Sequence, residues 1–175
     1  GYFTTIGYPV YRPRSFIAPG YQGTLGYGFP TALGVAAANP GSTVVSINGD
    51  GGFGWSLQEL ATARKHDLGV VIVVFNDGHF GNVRLLQDLT FGKTFGVELC
   101  NPDFPKLADA FGIASRVTTD PEALEREVRA AGLRGGPTLI EARVGRMPNA
   151  WHLYRLRTPF KPPVAEEPDP VDAFP

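Results

Sequence analysis

Residues 69–76 read GVVIVVFN, and no other stretch limits the fold as tightly. A strand with one wet face alternates apolar and polar residues. An unbroken β-branched run this short instead marks a strand covered on both faces. Strands of that kind belong to parallel sheets, whose crossovers are usually helical. The rest of the chain alternates accordingly. TVVSIN (43–48) reads as a short buried strand, and IASRV (113–117) and PTLIEARV (137–144) as two more. A helix is expected over FPTALGVAAAN (29–39), with Pro30 in its first turn and Asn39-Pro40-Gly41 ending it. GWSLQELATARKH (54–66) reads as a helix with Trp55, Leu60 and Ala63 near one face, and DFPKLADAF (103–111) as a short one. DPEALEREVRAAG (120–132) carries Asp120 as N-cap, Pro121 at the first position and Gly132 at its end. The expected fold class is therefore α/β, a doubly wound parallel sheet with helices on both faces.

At 175 residues the chain suits one domain, expected over 1–157, followed by an extended proline-rich tail over 158–175. A net charge of −1 argues against nucleic acid or an anionic membrane as partner. The single cysteine, Cys100, excludes an intrachain disulfide and suits a reducing compartment. With no His/Asp pattern beside it, Cys100 reads as a buried small residue rather than a nucleophile. No signal peptide and no run long enough to span a bilayer is present, so the expected location is cytoplasmic. Residues 1–29 are too irregular for a helix yet too aromatic for a solvated linker, and are expected to pack against something. The chain opens at Gly1 in loop-like sequence and its only methionine is Met147, as expected of a piece of a longer polypeptide.

Chemistry concentrates after the first two strands. In SINGDGGFG (46–54), Gly49, Gly51 and Gly54 match the dinucleotide fingerprint G-x-G-x-x-G, and Asp77 lies roughly where a ribose-binding acid is expected, about 20 residues on. Asp50 opposes that reading, because a carboxylate between the first two glycines would face the pyrophosphate. A hard divalent cation between them removes the conflict, and Mg²⁺ typically takes one or two carboxylates plus phosphate oxygens. A helix expected to start near Gly54 adds N–H groups and a positive dipole end. Asp77 follows the second strand in the turn Asn76-Asp77-Gly78. If the two strands are neighbours, Asp50 and Asp77 share one sheet edge, where like charges need a cation between them. The plainer alternative is a tight strand–helix turn in which Asp50 only caps the helix.

Together these residues resemble a known motif. GDG at 49–51, the spacer 52–75 and then Asn76-Asp77 is similar to the thiamine diphosphate-binding motif, which usually ends in a paired Asn-Asn. GTLGYGFPTALGVAAA (23–38) and QELATARKHDLGVVIVVFND (58–77) resemble the corresponding segments of the acetolactate synthase-like enzymes, with the likeness spanning roughly 18–145.

The resemblance implies thiamine diphosphate and Mg²⁺ as cofactors. Asp50, Asp77 and the backbone carbonyl of His79 would ligate the metal. Gly51, Gly52 and Phe53 would offer backbone N–H groups to the phosphates. The Gly23 carbonyl would accept from the aminopyrimidine, and Leu25 would prop the cofactor in its bent, catalytically competent shape. Thr24, Gly49, Phe80 and Gly81 complete the implied cofactor-binding set. Two positions depart from the family pattern: Asp77 replaces Asn, adding a charge beside the diphosphate, and Leu25 replaces Met. The family's catalytic glutamate belongs to an N-terminal pyrimidine-binding domain, and no residue here takes its place.

The implied activity is decarboxylation or carboligation of a small 2-oxo acid, with this chain supplying the diphosphate half of the site. The implied partners are the N-terminal and middle domains, on the same polypeptide or a separate subunit, within a homodimer or homotetramer. Alternatives are a non-catalytic or regulatory homologue and a nicotinamide- or flavin-binding module. His79 and Phe80 read either as substrate-facing or as a turn residue and a core aromatic. His66 reads as dipole compensation at a helix end. Arg84 reads as a helix-surface residue, with a substrate carboxylate as the alternative. Trp151-His152 reads as surface packing or a cover for the site mouth.

Overall fold

The structure is a computed structural model that describes residues 2–149. Trp151, His152, the boundary at 157 and the tail lie outside the described residues. Four parallel strands, β1 (Val44–Gly49), β2 (Val70–Asn76), β3 (Ala114–Thr118) and β4 (Thr138–Arg143), form one sheet in the order β1-β2-β4-β3. Seven helices accompany them among the described residues: α1 (Tyr2–Gly7), α2 (Gly28–Ala38), α3 (Asp50–Gly54), α4 (Leu60–Lys65), α5 (Gly81–Phe91), α6 (Phe104–Ala110) and α7 (Pro121–Arg134).

The unbroken apolar run is explained by its central place. Val70, Ile72 and Val74 of β2 enter a core with Phe29 and Leu33 of α2, Phe53 of α3, Leu60 and Ala63 of α4, and Phe104 and Ala108 of α6. Val71 and Val73 enter the opposite core, with Ile140 and Ala142 of β4 and Ala131, Leu124 and Val128 of α7. Each aliphatic side chain so buried is worth about 1.5–3 kcal/mol, and β2 contributes on both faces at once.

β1 differs from the buried strand its sequence suggests. Ser46 and Asn48 face inward, while Val45 and Ile47 are 41% and 37% exposed. The inward pair satisfies itself, Asn48 Nδ2 donating to Ser46 Oγ at 3.0 Å. Gly28 makes room for it, since a Cβ there would lie 2.6 Å from Asn48 Oδ1. Val45 and Ile47 pair in register with Val71 and Val73 on the α7 face, but α7 lies over β2, β4 and β3.

Other expectations shift for identifiable reasons. Within 1–29, Tyr2–Gly7 is helical and Gly20–Gln22 forms a 3₁₀ turn, while most of the remainder is irregular. The 54–66 helix is broken: α3 starts at Asp50, a 3₁₀ turn spans Leu57–Glu59, and α4 covers only Leu60–Lys65. Trp55 sits at the break and is 66% exposed, away from the fully buried Leu60 and Ala63. α7 runs through Gly132 to Arg134, where a missing Cβ lets Thr43 approach; a Cβ at Gly132 would lie 2.8 Å from Thr43 Cγ2. Asp103 and Asp120 cap α6 and α7 through their side chains, the second as expected. Cys100 is exposed rather than buried.

Candidate functional site

Because Gly49 of β1 pairs with Phe75 of β2, the two strands leave the sheet together at their carboxyl ends. Asp50 follows one and Asn76-Asp77-Gly78 the other. Ligands of open parallel sheets bind at this edge.

Asp50 is only 3% exposed. Its Oδ1 accepts from Gly51 N–H at 2.9 Å, and its Oδ2 from Gly78 N–H at 2.9 Å and Asn101 Nδ2 at 2.6 Å. Burial pushes the Asp50 carboxyl above the ordinary carboxylate range; the bonds from Asn101 and Gly51 pull it down, and the neighbouring charge of Asp77 pushes it up again.

Asp77 closes its own turn, its Oδ1 accepting from His79 N–H at 3.1 Å while Gly78 takes the left-handed conformation at φ +70°. The His79 ring folds back, Nδ1 lying 2.7 Å from the Asp77 carbonyl oxygen. A carbonyl only accepts, so Nδ1 carries the proton and ties the ring to its own turn. Phe80 lies over the glycine loop: a Cβ at Gly51 would sit 2.7 Å from its Cδ1 and Cε1. At Gly81, which opens α5, a Cβ would sit 2.9 Å from Asp77 Oδ2. Both glycines are thus required for close approach rather than for backbone conformation.

Segment 97–99 holds this turn in place. Phe80 N–H donates to the Val97 carbonyl at 2.8 Å, Leu99 N–H donates to Gly78 at 2.8 Å, and His79 and Glu98 form an antiparallel bridge. From the other side, Phe53 anchors the glycine loop, its ring 5.5 Å from that of Phe29 and 5.8 Å from that of Phe104. Leu25 reaches the same loop, its Cδ2 lying 3.8 Å from where a Gly52 Cβ would be, while the side chain stays 51% exposed. Gly23 and Thr24 are exposed beside it, and Gly49 is exposed at the strand end.

Among the described residues no three His, Cys, Asp or Glu side chains cluster around a metal position. Two carboxylates with the remaining positions left to backbone carbonyls, water and phosphate suit Mg²⁺ and not a structural zinc cage. Around the buried Asp50, residues Gly51, Gly52, Asp77 and Gly78 are half-buried. A cavity of about 390 Å³ lies instead at the amino ends of β1 and β2, between Thr43, His66, Asp67 and Gly132, far from the paired aspartates. His66 is the residue that caps the carboxyl end of α4, as expected, and Arg84 lies in α5.

Sequence reasoning missed Asn101, which bonds Asp50 directly, and Glu141, a 3% exposed carboxylate on β4 that accepts from Asn76 Nδ2 at 2.8 Å. Asn101 precedes Pro102 and the Asp103 cap, so it reads as helix-entry sequence. Glu141 gave a faint signal as an acid directly after the apolar pair Leu139-Ile140.

The structure is that of an α/β domain with Asp50 and Asp77 following the carboxyl ends of adjacent parallel strands, the edge at which open parallel sheets commonly take ligands. The family described as "Thiamine pyrophosphate enzyme, C-terminal TPP binding domain" matches residues 2–142, and the chain belongs to that family. It is 40% identical over 131 residues to a probable acetolactate synthase large subunit of Methanocaldococcus jannaschii, covering 74% of this chain and 22% of that protein. It is 36% identical over 144 residues to the acetolactate synthase isozyme 2 large subunit of Escherichia coli, covering 81% and 26%. Among solved structures, the Rhodococcus jostii thiamine diphosphate-dependent 4-hydroxybenzoylformate decarboxylase matches with a TM-score of 0.67 and 30% identity, over 73% of this chain and 24% of that one. The chain therefore spans about a quarter of the length of the relatives it matches.

Proposed function

We propose that this chain is the diphosphate-binding half of a thiamine diphosphate- and Mg²⁺-dependent enzyme that decarboxylates or carboligates a small 2-oxo acid, as the acetolactate synthases it resembles suggest. The observation that carries the reading is that Asp50 and Asp77 follow paired strand ends, with Asp50 Oδ2 accepting from the N–H of Gly78, the residue next to Asp77, at 2.9 Å. Such a pair is costly without a cation and useful with one.

In this reading Asp50, Asp77 and the His79 carbonyl hold Mg²⁺. Gly52 and Phe53 present N–H groups toward the phosphates, as does Gly51, whose N–H also bonds Asp50. Leu25, on its exposed shelf beside Gly52, supports the middle of the cofactor. When bound, thiamine diphosphate supplies the electron sink for cleavage next to a ketone carbonyl. The chain's own residues anchor it, orient it and keep water from one side. The pyrimidine half and its glutamate come from an N-terminal domain, which joins this one with a middle domain in a homodimer or homotetramer. A cytoplasmic location fits the single cysteine, and no helix among the described residues is long and apolar enough to cross a membrane.

Asp50→Ala tests the reading. It should abolish Mg²⁺-dependent thiamine diphosphate binding by calorimetric titration and leave the circular dichroism spectrum unchanged, since the proposed role is ligation rather than packing. Unchanged affinity and metal dependence would remove the assignment.

A further inference from the structure

The hydrogen bonds around Asp50 do not end at its first neighbours. Asn101 Nδ2 donates to Asp50 Oδ2 at 2.6 Å and also to Asn76 Oδ1 at 3.0 Å. Asn76 Oδ1 accepts a second bond from Gly78 N–H at 3.1 Å. On this side Asn76 must therefore present its oxygen. Its orientation is fixed from behind, where Asn76 Nδ2 donates to Glu141 Oε1 at 2.8 Å. Glu141 is buried on the interior strand β4, clamped by Arg143 Nε at 3.0 Å on that oxygen and Arg143 Nη2 at 3.3 Å on the other. A flipped Asn76 would set its NH₂ against two donors and its oxygen against a carboxylate. A buried carboxylate is expensive to keep where a valine would pack, so its retention calls for a purpose.

We infer that Glu141 and Asn101 are positioning residues for the metal: Glu141 fixes the polarity of Asn76, Asn76 places the Asn101 amide, and Asn101 occupies Asp50 Oδ2. That leaves Oδ1, which takes only the Gly51 N–H, as the ligating oxygen. The inference rests on the reading of Asp50 as a metal ligand given above. It goes further by assigning work to a strand and a loop that contribute no ligand.

The test is Mn²⁺ binding to the 175-residue chain with thiamine diphosphate present, read from the free-ion signal in electron paramagnetic resonance. Asn101→Ala and Glu141→Leu should each weaken Mn²⁺ by about tenfold or more, the range for residues that orient metal ligands. Glu141→Gln, whose Oε1 still accepts from Asn76, should stay near the parent. Because Glu141 acts on Asp50 by way of Asn76 and Asn101, the double variant Asn101→Ala/Glu141→Leu should bind about as well as the weaker single variant. Independent contributions would multiply instead. Metal-free melting curves separate lost stability from lost affinity. Should Glu141→Leu fail to fold, Asn101→Ala, at a half-buried loop position, decides alone. Parent-like affinity in Asn101→Ala, or multiplied losses in the double variant, overturns the inference while Asp50→Ala still abolishes binding. Parent-like affinity in Asp50→Ala, or no Mn²⁺ binding by the parent, overturns the site reading itself.

Discussion

Gly51→Ala puts one methyl group where the glycine loop meets the Asp77 turn. The added carbon would lie 2.7 Å from both Cδ1 and Cε1 of Phe80 and 3.2 Å from Leu99 Cδ1. Carbon atoms settle about 3.5–4.0 Å apart, so the ring must retreat by roughly 1 Å. It has little freedom to do so, because Phe80 N–H is bonded to Val97 at 2.8 Å and the residue leads directly into α5. Overpacking of this kind costs about 1–3 kcal/mol, while replacing Gly by Ala in a helix returns about 1 kcal/mol at most. With the full return the net loss is about 0–2 kcal/mol, which for a chain of this size lowers Tm by up to about 8 °C. Thermal denaturation followed by circular dichroism measures it. Phe80→Leu removes the obstructing ring edge, so the double variant Gly51→Ala/Phe80→Leu should melt higher than the two separate losses predict. A Gly51→Ala chain that melts above the parent would refute the close approach of the two loops, and with it the shared edge on which the proposed site is built.

Asp77→Asn should retain metal-dependent binding or tighten it, keeping an oxygen donor while removing a charge facing the phosphates; Asp77→Leu should lose binding, and equal titrations for the two would take residue 77 away from the metal. The folded chain raises the Asp50 pKa above its unfolded value, so the stability this contributes is complete below the ordinary carboxylate range near 4 and is lost as pH rises through the raised pKa. The metal-free chain should accordingly lose stability across that window, Mg²⁺ should restore it, and Asp50→Asn should flatten the slope in melts taken over a pH series. Phe53→Ala, removing a fully buried ring that contacts two others, should cost about 3–5 kcal/mol, visible as a lower urea midpoint. Deuterium exchange at the cofactor's C2 position, followed by proton NMR with Mg²⁺, should be no faster with this chain than for free cofactor, and much faster once the upstream domains are added; strong acceleration by the chain alone would mean that it carries its own base.

The parts of the fold that sequence revealed are those where one physical force acts alone. β2 was legible because burial on both faces leaves no polar residue to confuse the pattern, and α7 because Asp120 and Pro121 mark its start by local hydrogen bonding and a preset φ. β1 is a strand as expected, but TVVSIN cannot say which side is covered; Asn48 turns inward where distant Gly28 leaves room for it. α3 was hidden by its glycines, whose low helix propensity is overridden by Phe53 seating itself among Phe29 and Phe104. Asp50 and Asp77 were legible as a pair because their spacing matches two successive strand ends. Asn101 and Glu141 were not, since each meets the site from a part of the chain whose nearness only the crossover topology β1-β2-β4-β3 determines.

β1 ends the sheet, pairing with β2 on one side and, among the described residues, with no strand on the other. Its outward-facing Val45 and Ile47 add grease to that rim. A row of open peptide groups flanked by aliphatic side chains is an invitation to a second strand, and no Lys, Pro or bulge within Val44–Gly49 discourages one. In the described structure this rim is the margin at which a further strand would add. A lysine in place of Val45 would discourage such strand addition while leaving Asp50 and Asp77 unaltered.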